Sequence, residues 1–238
     1  MTDTKPSRGI QGALVKLWRG GDYQLTVTGR TEITPNYLRL HFTGPELLDR
    51  PIHPTMWVRG WFPDGHKSHQ RGYTLVNPDP VAGTVDIDFA MHDGLATRWA
   101  RDAAAGDTLE VTLLGSNFTL PDPPPAGYLV VGDTASLPAI NSLLSAIGDT
   151  TARVFLEYTH HDDQELPMTP GDFEVTWVPR ADDGEALVEA VRAAAFAAAD
   201  HFGWVGCDSR TTRSLVKVLR EAYGIDRKSI KAQAYWVA

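Results

Sequence analysis

The 238-residue sequence predicts two domains of different class: an antiparallel β-barrel or sandwich over residues 1–122 and a doubly wound α/β domain over residues 123–238. Three observations support this prediction. Short runs with alternating polarity dominate the first half, apolar strands alternate with helical segments in the second, and a proline-rich stretch lies between them. A chain of this length fits one large domain or two moderate ones, since a domain typically has about 100–200 residues.

The first half contains short runs that are rich in β-branched and aromatic residues and bounded by Gly, Pro or Asp. Many of them alternate apolar and polar positions, which is typical of antiparallel strands with one buried face. The runs are Tyr23–Thr28, Tyr37–Phe42, Met56–Trp61, Val85–Ala90 and Thr108–Leu113.

The segment from Pro121 to Gly127 contains four prolines and marks the predicted domain boundary. Proline fixes φ and lacks an amide donor, so a regular strand ladder stops here.

Beyond the boundary, apolar runs without alternation are each followed by a helical pattern, as in a buried parallel sheet with crossover helices. The predicted strands and helices are, in order, Tyr128–Val131, Leu137–Ile147, Ala152–Tyr158, Ala186–Ala199, Phe202–Val205 and Thr211–Tyr223. Asp133 or Thr134 is expected to cap the first helix and Asp208 or Ser209 the last, which Gly224 would end in the left-handed conformation.

Composition excludes several classes of protein. The net charge of −8 argues against non-specific nucleic-acid binding, which needs a positive face. The single cysteine, Cys207, and a polar segment at residues 1–10 favour a reducing, cytoplasmic setting. The run Ala186–Ala199 is interrupted by Glu189 and Arg192 and is shorter than the ~20 apolar residues that cross a bilayer, so no membrane insertion is expected.

The tetrad Arg71-Gly72-Tyr73-Thr74 is the first candidate for a binding site. An arginine can bind phosphate through a charged fork, a tyrosine can lie against a planar ring, and a threonine hydroxyl can donate a hydrogen bond. The alternative for this segment alone is an ordinary edge strand with a surface arginine.

A second candidate runs from Asp86 to Ala100, where a strand leads through His92 and Gly94 into a short helix. The first amides of that helix, beside Ala96 and Thr97, could attract a phosphate. His92 could equally be a polar strand end, and Trp99 is expected to anchor the core.

The third candidate is the stretch from Tyr128 to Ile140, which reads as a buried strand, a turn at Gly132-Asp133 and a helix with proline in its first turn. This is how a nucleotide-binding α/β unit begins, although no G-x-G-x-x-G fingerprint is present. Alone, Gly132 and Asp133 would only turn and cap the chain.

Taken in order, the three clusters resemble the siderophore-interacting proteins, the flavin-dependent ferric-siderophore reductases related to ferredoxin reductases. The resemblance spans about Tyr23 to Trp236. It rests on an Arg-x-Tyr-Thr motif, an Asp-x-Asp strand leading to a His, a Gly and a Trp-Ala helix, a Gly-Asp…Leu-Pro-Ala-Ile turn, and a late acidic residue and Tyr-Trp pair. The matching residues are Arg71, Tyr73, Thr74, Asp86, Asp88, His92, Gly94, Trp99, Gly132, Asp133, Leu137, Pro138, Ala139, Ile140, Asp208, Tyr235 and Trp236.

The resemblance implies a cytoplasmic reductase that holds FAD, takes a hydride from NADH or NADPH and reduces iron(III) in a siderophore. No catalytic acid or nucleophile is required. The residues implied in cofactor binding are Arg71, Tyr73, Thr74, Asp88, His92, Gly94, Ala96, Thr97, Gly132, Asp133 and Asp208. The loop after Ala152–Tyr158 contains no arginine for a 2′-phosphate, which favours NADH. A positive rim of Arg59, His66, Lys67 and His69 is the candidate site for an anionic ferric complex.

The sequence also departs from the family pattern. Val76 replaces an arginine that usually follows the Tyr-Thr pair, so a non-catalytic siderophore- or flavin-binding module is one alternative. A general flavin or ferredoxin-type reductase with another acceptor is a second. His66-x-x-His69 and the residues His160 to Asp163 contain metal-ligand types without the spacing of a zinc site, so no metal is expected. Cys207 is given no role.

Overall fold

The structure, a computed structural model, describes residues 21–237 and divides into two compact units, the first ending at Phe118 and the second beginning at Thr119. The division falls four residues before the predicted boundary at 122/123. The polar segment 1–10 lies outside the described residues.

The first unit is a seven-stranded antiparallel sheet with strand order β4-β3-β7-β1-β2-β6-β5. Its strands are β1 (Gly21–Thr34), β2 (Tyr37–Thr43), β3 (Trp57–Asp64), β4 (Lys67–Thr74), β5 (Val76–Asp79), β6 (Thr84–Ala90) and β7 (Thr108–Leu113), with helices α1 (Pro45–Leu48) and α2 (Leu95–Asp102). Every second residue of β2, β3, β6 and β7 is buried over much of its length, and these side chains form one apolar core. The alternation that predicted antiparallel strands is therefore confirmed.

The second unit is a five-stranded parallel sheet with strand order β10-β9-β8-β11-β12 and crossover helices. Its elements are β8 (Tyr128–Asp133), α3 (Leu137–Ile147), β9 (Ala152–Tyr158), β10 (Phe173–Pro179), α4 (Glu185–Ala193), β11 (Phe202–Asp208), α5 (Ser209–Glu221) and β12 (Ile230–Trp236). All six residues of β8 are buried, as expected for a central strand covered on both faces. The predicted fold class is thus confirmed for both units.

Three local predictions are decided by the structure. Asp208 caps α5, with its carboxylate accepting from the amides of Arg210 and Thr211, and Gly224 has a φ of 74°, so both are confirmed. The predicted cap of α3 was wrong, because Ser136 occupies the N-cap position. Its side chain makes no capping hydrogen bond.

The predicted helix Ala186–Ala199 was too long at its end. Helix α4 stops at Ala193, and the alanines that follow form an irregular segment whose Ala198 amide donates to the Tyr223 carbonyl. Alanine favours helix, but this tertiary hydrogen bond and the burial of Ala198 fix another conformation.

No helix among residues 21–237 combines the length and the apolar character needed to cross a bilayer.

Candidate functional site

The Arg71-Gly72-Tyr73-Thr74 tetrad forms the last half of β4, which pairs with β3 so that Thr74 lies opposite Trp57. Arg71 is exposed, and its guanidinium donates only to the neighbouring Gln70 carbonyl at 2.8 Å. Thr74 is buried, yet its hydroxyl oxygen has no hydrogen-bond partner among the described residues. The tetrad therefore offers an available cation and an unsatisfied hydroxyl.

The Tyr73 ring lies at the edge of the apolar core. It packs against Phe89 with ring centroids 4.5 Å apart and against Phe62 at 5.7 Å. Burial raises the pKa of the Tyr73 hydroxyl well above its ordinary value, and nearby Arg71 opposes this shift. The phenol thus stays neutral and presents a rigid ring.

The turn that contains His92 and Gly94 lies against the same core. Trp99 of α2 packs on Phe62, 5.5 Å from its ring centre, and Phe62 also contacts Tyr73. Through Phe62, the structure places Tyr73 of the tetrad and Trp99 of the helix after this turn in one aromatic cluster. Trp99 packs against the core, as predicted.

Thr97 and Gly94 shape this turn. The buried Thr97 hydroxyl donates to the His92 carbonyl at 2.7 Å and accepts from the Gly94 amide at 3.2 Å, so it is used within the protein. A Cβ on Gly94 would come within 2.3 Å of the His92 ring in its present position, so a larger residue there would displace that ring. Ala96, beside Thr97, is buried.

Asp88 lies on β6 with both carboxylate oxygens paired to the Arg39 guanidinium, at 2.7 and 2.9 Å. The two residues are directly opposite in the β2–β6 register, and hydrogen bonding to Asp88 raises the pKa of Arg39. Asp88 alternates with the core residue Phe89, so it faces away from the side on which Tyr73 packs. These contacts give Asp88 a structural role that the sequence did not reveal.

The predicted positive rim divides between two places. His66 and Lys67 are exposed at the β3–β4 turn, and His69 lies 3.7 Å from Asp64, which is opposite Lys67. Arg59 lies near the start of β3, away from that turn, and stacks on Trp57 with 4.9 Å between the guanidinium carbon and the ring centre.

Arg59 and His69 also lie on opposite faces of the hairpin, because His69 is opposite Phe62 and Arg59 is opposite Gly72. The structure therefore groups the three hairpin residues and separates Arg59 from His69.

In the second unit, polar side chains meet where the parallel strands end. Asp133 ends β8 and is directly opposite Glu157 of β9, while Asp208 ends β11. Arg180, which follows β10, pairs with Glu157 and lies 3.9 Å from Asp208. We call Asp133, Glu157, Arg180 and Asp208 the edge cluster.

Trp236 of β12 covers the edge cluster. Its indole N–H donates to Asp133 at 2.8 Å, and the Arg180 guanidinium lies over its ring at 4.9 Å. The indole is 36% exposed, whereas the three carboxylates are buried.

The carboxylates of the edge cluster differ in the direction in which the protein shifts their pKa. Burial raises the pKa of Asp133 and of Glu157 above the ordinary range, although Arg180 opposes the shift in both. Burial also opposes ionisation of Asp208, but hydrogen bonds from Thr211 and Arg210 outweigh it and lower the pKa of Asp208. Asp208 is therefore the most firmly ionised of the three.

Gly132 and Cys207 flank the edge cluster. A Cβ on Gly132 would come within 2.3 Å of the Ser136 hydroxyl and 3.2 Å of the Gly206 carbonyl, so only glycine fits between the strand and α3. Cys207 is buried, and its burial, with the adjacent carboxylates, raises the pKa of its thiol well above the ordinary value. This thiol is a packing group.

The sequence analysis gave no site role to Glu157 or Arg180. A usable signal existed for Glu157, because it is a carboxylate near the end of a predicted parallel strand and such ends meet at one edge. Arg180 follows a strand that was not predicted. Among residues 21–237 no group of three or more metal-ligating side chains is placed to hold a metal ion.

Comparisons with known proteins identify the family. Residues 48–115 match the siderophore-interacting FAD-binding domain, and residues 125–238 match the siderophore-interacting protein domain. The chain belongs to the siderophore-interacting protein family. Among solved structures, the siderophore-interacting protein SipS from Aeromonas hydrophila has a similar fold, with a TM-score of 0.79, 24% sequence identity and 92% coverage of each chain. A ferredoxin reductase of carbazole 1,9a-dioxygenase gives a TM-score of 0.72 at 16% identity, covering 91% of this chain and 70% of that one.

Two curated relatives carry functional names. The mycobactin import ATP-binding/permease protein IrtA of Mycolicibacterium smegmatis is 37% identical over 97% of this chain, which spans only 27% of that protein. The NADPH-dependent ferric-chelate reductase of Escherichia coli is 26% identical over 83% of this chain and 75% of its own length. The chain therefore corresponds to about a quarter of the first relative and most of the second.

Proposed function

We propose that this protein is a cytoplasmic, FAD-containing reductase that takes a hydride from NADH or NADPH and delivers electrons to iron(III) in a siderophore. The observation that carries the proposal is the β4 tetrad within the FAD-binding domain. Its buried Thr74 hydroxyl has no hydrogen-bond partner among residues 21–237, and the exposed Arg71 guanidinium lies three residues away. The name of the Escherichia coli relative supports the same reaction class.

The residues of the first unit fit FAD. Arg71 would pair with a phosphate, the Tyr73 ring would lie against the flavin or its ribityl chain, and Thr74 would donate the hydrogen bond it lacks. Thr97 and Asp88 make internal contacts, so in this proposal they shape the turn and the sheet rather than contact FAD. When bound, FAD supplies the conversion between a two-electron donor and a one-electron acceptor.

Gly132, Asp133 and Asp208 would form the dinucleotide side, since ligands of open parallel sheets bind outside the carboxyl ends of the strands. Hard siderophore oxygens bind iron(III) more tightly than iron(II), so reduction weakens the complex without cleaving the siderophore. The protein then needs to orient the reactants and needs no acid or nucleophile.

For the substrate we propose an anionic ferric siderophore that approaches the β3–β4 hairpin. The mycobactin import relatives favour a siderophore as substrate class. Because the chain carries a net charge of −8, a local cation is needed, and His66, Lys67 and His69 supply one group of basic side chains. Arg59, on the other face of the hairpin from His69, would contribute a separate positive charge. A Lys67→Glu variant should raise the Michaelis constant for the ferric siderophore, and unchanged affinity would remove this rim.

The test of the main proposal is the visible spectrum of the purified protein under anaerobic conditions. A flavin spectrum that bleaches with NADH or NADPH and recovers on adding a ferric siderophore is expected. Bound flavin that ignores both nicotinamides would favour another electron donor. Absence of flavin after reconstitution with FAD would overturn the reductase.

A binding module is the second candidate, favoured by Val76 in place of the usual arginine. Val76 begins β5 and brings no cation to the tetrad. Siderophore or flavin binding without NAD(P)H oxidation would support it, and turnover with other acceptors but no ferric siderophore would support a general flavin reductase.

A further inference from the structure

The edge cluster contains more negative than positive charge. Of the three buried carboxylates, Glu157 and Asp208 pair with the guanidinium of Arg180, which also acts electrostatically on Asp133, and within residues 21–237 the structure pairs no other guanidinium with them. Removing a charge from water is costly unless it is paired, so this arrangement depends on Arg180.

Glu157 is the member with the least support. One of its oxygens pairs with Arg180, while the other, Oε1, is buried and has no hydrogen-bond partner among the described residues. By contrast, the Asp133 carboxylate accepts from the Ser136 amide and the Trp236 indole, and Asp208 accepts from Arg210 and Thr211. If Arg180 turns away, the Glu157 carboxylate keeps no hydrogen-bond or ion-pair partner within the part of the chain that the structure describes.

The cluster lies where a nucleotide would bind. The chain leaves β8 toward β9 on one side, and leaves β11 toward β12 on the other, so the adjacent ends of β8 and β11 form a topological switch point. Open parallel sheets bind their ligands in that crevice. A dinucleotide brings a doubly charged pyrophosphate, which arginine binds well and carboxylates repel.

We propose that dinucleotide binding in this crevice is coupled to the uptake of one proton by Glu157, as Arg180 turns from Glu157 to the phosphates. The inference rests on the proposed nucleotide-dependent function. The proton comes from solvent and forms an O–H bond on Oε1, and no other bond changes. Glu157 is thereby a positioning residue, since it sets the availability of Arg180.

The sign of the coupling follows from the groups around Glu157. Asp133 faces it from β8, Cys207 and Asp208 from β11, and Arg180 from the segment after β10, while Trp236 of β12 lies over Arg180. Releasing Arg180 leaves Asp133 and Asp208 as the charged groups nearest Glu157, and these carboxylates favour its protonated form. Affinity for the nucleotide should therefore rise as pH falls, by up to about tenfold per pH unit for one proton.

The test is calorimetric titration of the FAD-loaded full chain with NAD⁺ between pH 7 and 8.5, in Hepes and in Tris, neither of which supplies a phosphate to Arg180. The two buffers differ in ionisation enthalpy, so the difference in observed heat gives the number of protons taken up. We expect uptake of up to one proton for the wild type. Glu157→Gln should show none, bind independently of pH and bind more tightly than the wild type at pH 8.5.

The matched control is Glu174→Gln, the same change at an exposed glutamate on β10 that pairs with Arg153. It should keep the wild-type proton uptake. NAD⁺ binding by the wild type with no proton exchange at any pH would overturn the coupling alone, a result that does not require the variant to fold. Unchanged uptake in Glu157→Gln would also overturn it. Absence of binding by NAD⁺, NADH and NADPH alike would overturn the nucleotide donor and the coupling together.

Discussion

The unsatisfied hydroxyl of Thr74 leads to a prediction in which stability and cofactor affinity change in opposite directions. Thr74 is 4% exposed, and its oxygen has no partner among residues 21–237. A buried polar group without a hydrogen bond costs about 1–3 kcal/mol. Thr74→Val keeps the side-chain shape and removes that cost, so the FAD-free protein should be as stable as the wild type or more stable, by up to about 3 kcal/mol.

The same substitution should weaken FAD binding. If Thr74 donates to the cofactor, the variant loses a neutral hydrogen bond that contributes about 0.5–1.5 kcal/mol, which corresponds to a roughly two- to tenfold higher dissociation constant. Urea unfolding of the FAD-free protein measures the first quantity, and titration of the apoprotein with FAD, followed by flavin fluorescence, measures the second.

Thr112 is the matched control for Thr74. It is also buried in the first unit, but its hydroxyl accepts from the Trp61 indole at 2.9 Å and donates to Asp22 at 2.6 Å. Thr112→Val should therefore lose about 1–3 kcal/mol of stability and leave FAD affinity unchanged. The reasoning is refuted if Thr74→Val destabilises the apoprotein as much as the control does, with unaltered FAD affinity.

Three further predictions follow from the described contacts. Gly132→Ala should lower the free energy of unfolding, measured in urea, by about 1–3 kcal/mol because its Cβ would overlap Ser136. Gly29→Ala, whose Cβ would meet only His41 at 3.7 Å, should change stability far less. Equal losses in the two variants would contradict the packing argument. Cys207 should resist alkylation by iodoacetamide in the native protein and react once urea unfolds it, because burial raises its thiol pKa; rapid native labelling, measured by mass spectrometry, would contradict its burial. Asp88→Asn should lower stability by about 1.5–3 kcal/mol through the Arg39 pair and leave FAD affinity unchanged, so a large loss of affinity in the FAD titration would restore Asp88 to the cofactor site.

Three elements with a clear apolar period were predicted to the residue, and other predicted runs differ from the observed strands and helices at one or both ends. Thr108–Leu113, Leu137–Ile147 and Ala152–Tyr158 have the predicted bounds, since burial on one face or both imposes a pattern that glycine and proline interrupt.

The missed strands lack that pattern. β4 has a single fully buried residue, Thr74, so its own side chains show little apolar alternation. The main sequence feature that indicates this strand is the Asp64-Gly65 pair before it, which is typical of a hairpin turn. β10 is an edge strand with only Val178 fully buried. Half-exposed strands of this kind are stabilised by pairing with neighbours rather than by their own hydrophobicity.

The candidate sites divide in the same way. Arg71, Tyr73 and Thr74 were found because they are adjacent in sequence, and Gly132 because a strand ends there. The Arg39–Asp88 pair depends on a cross-strand register that the sequence does not specify. Arg180 reaches Glu157 only through the order of strands in the sheet, so local reading of the chain could not place it.

The hydrogen bond from Trp236 to Asp133 joins residues 103 positions apart and so ties the first strand of the second unit to its last. During synthesis β8 emerges long before β12, and the buried Asp133 carboxylate gains its indole donor only when the final strand pairs. Closing so long a loop is entropically costly and comes late in folding. Local opening of β12 would uncover the edge cluster without unfolding the central strands. The last strand to assemble is thus also the one whose fraying would set how often the crevice is open to solvent.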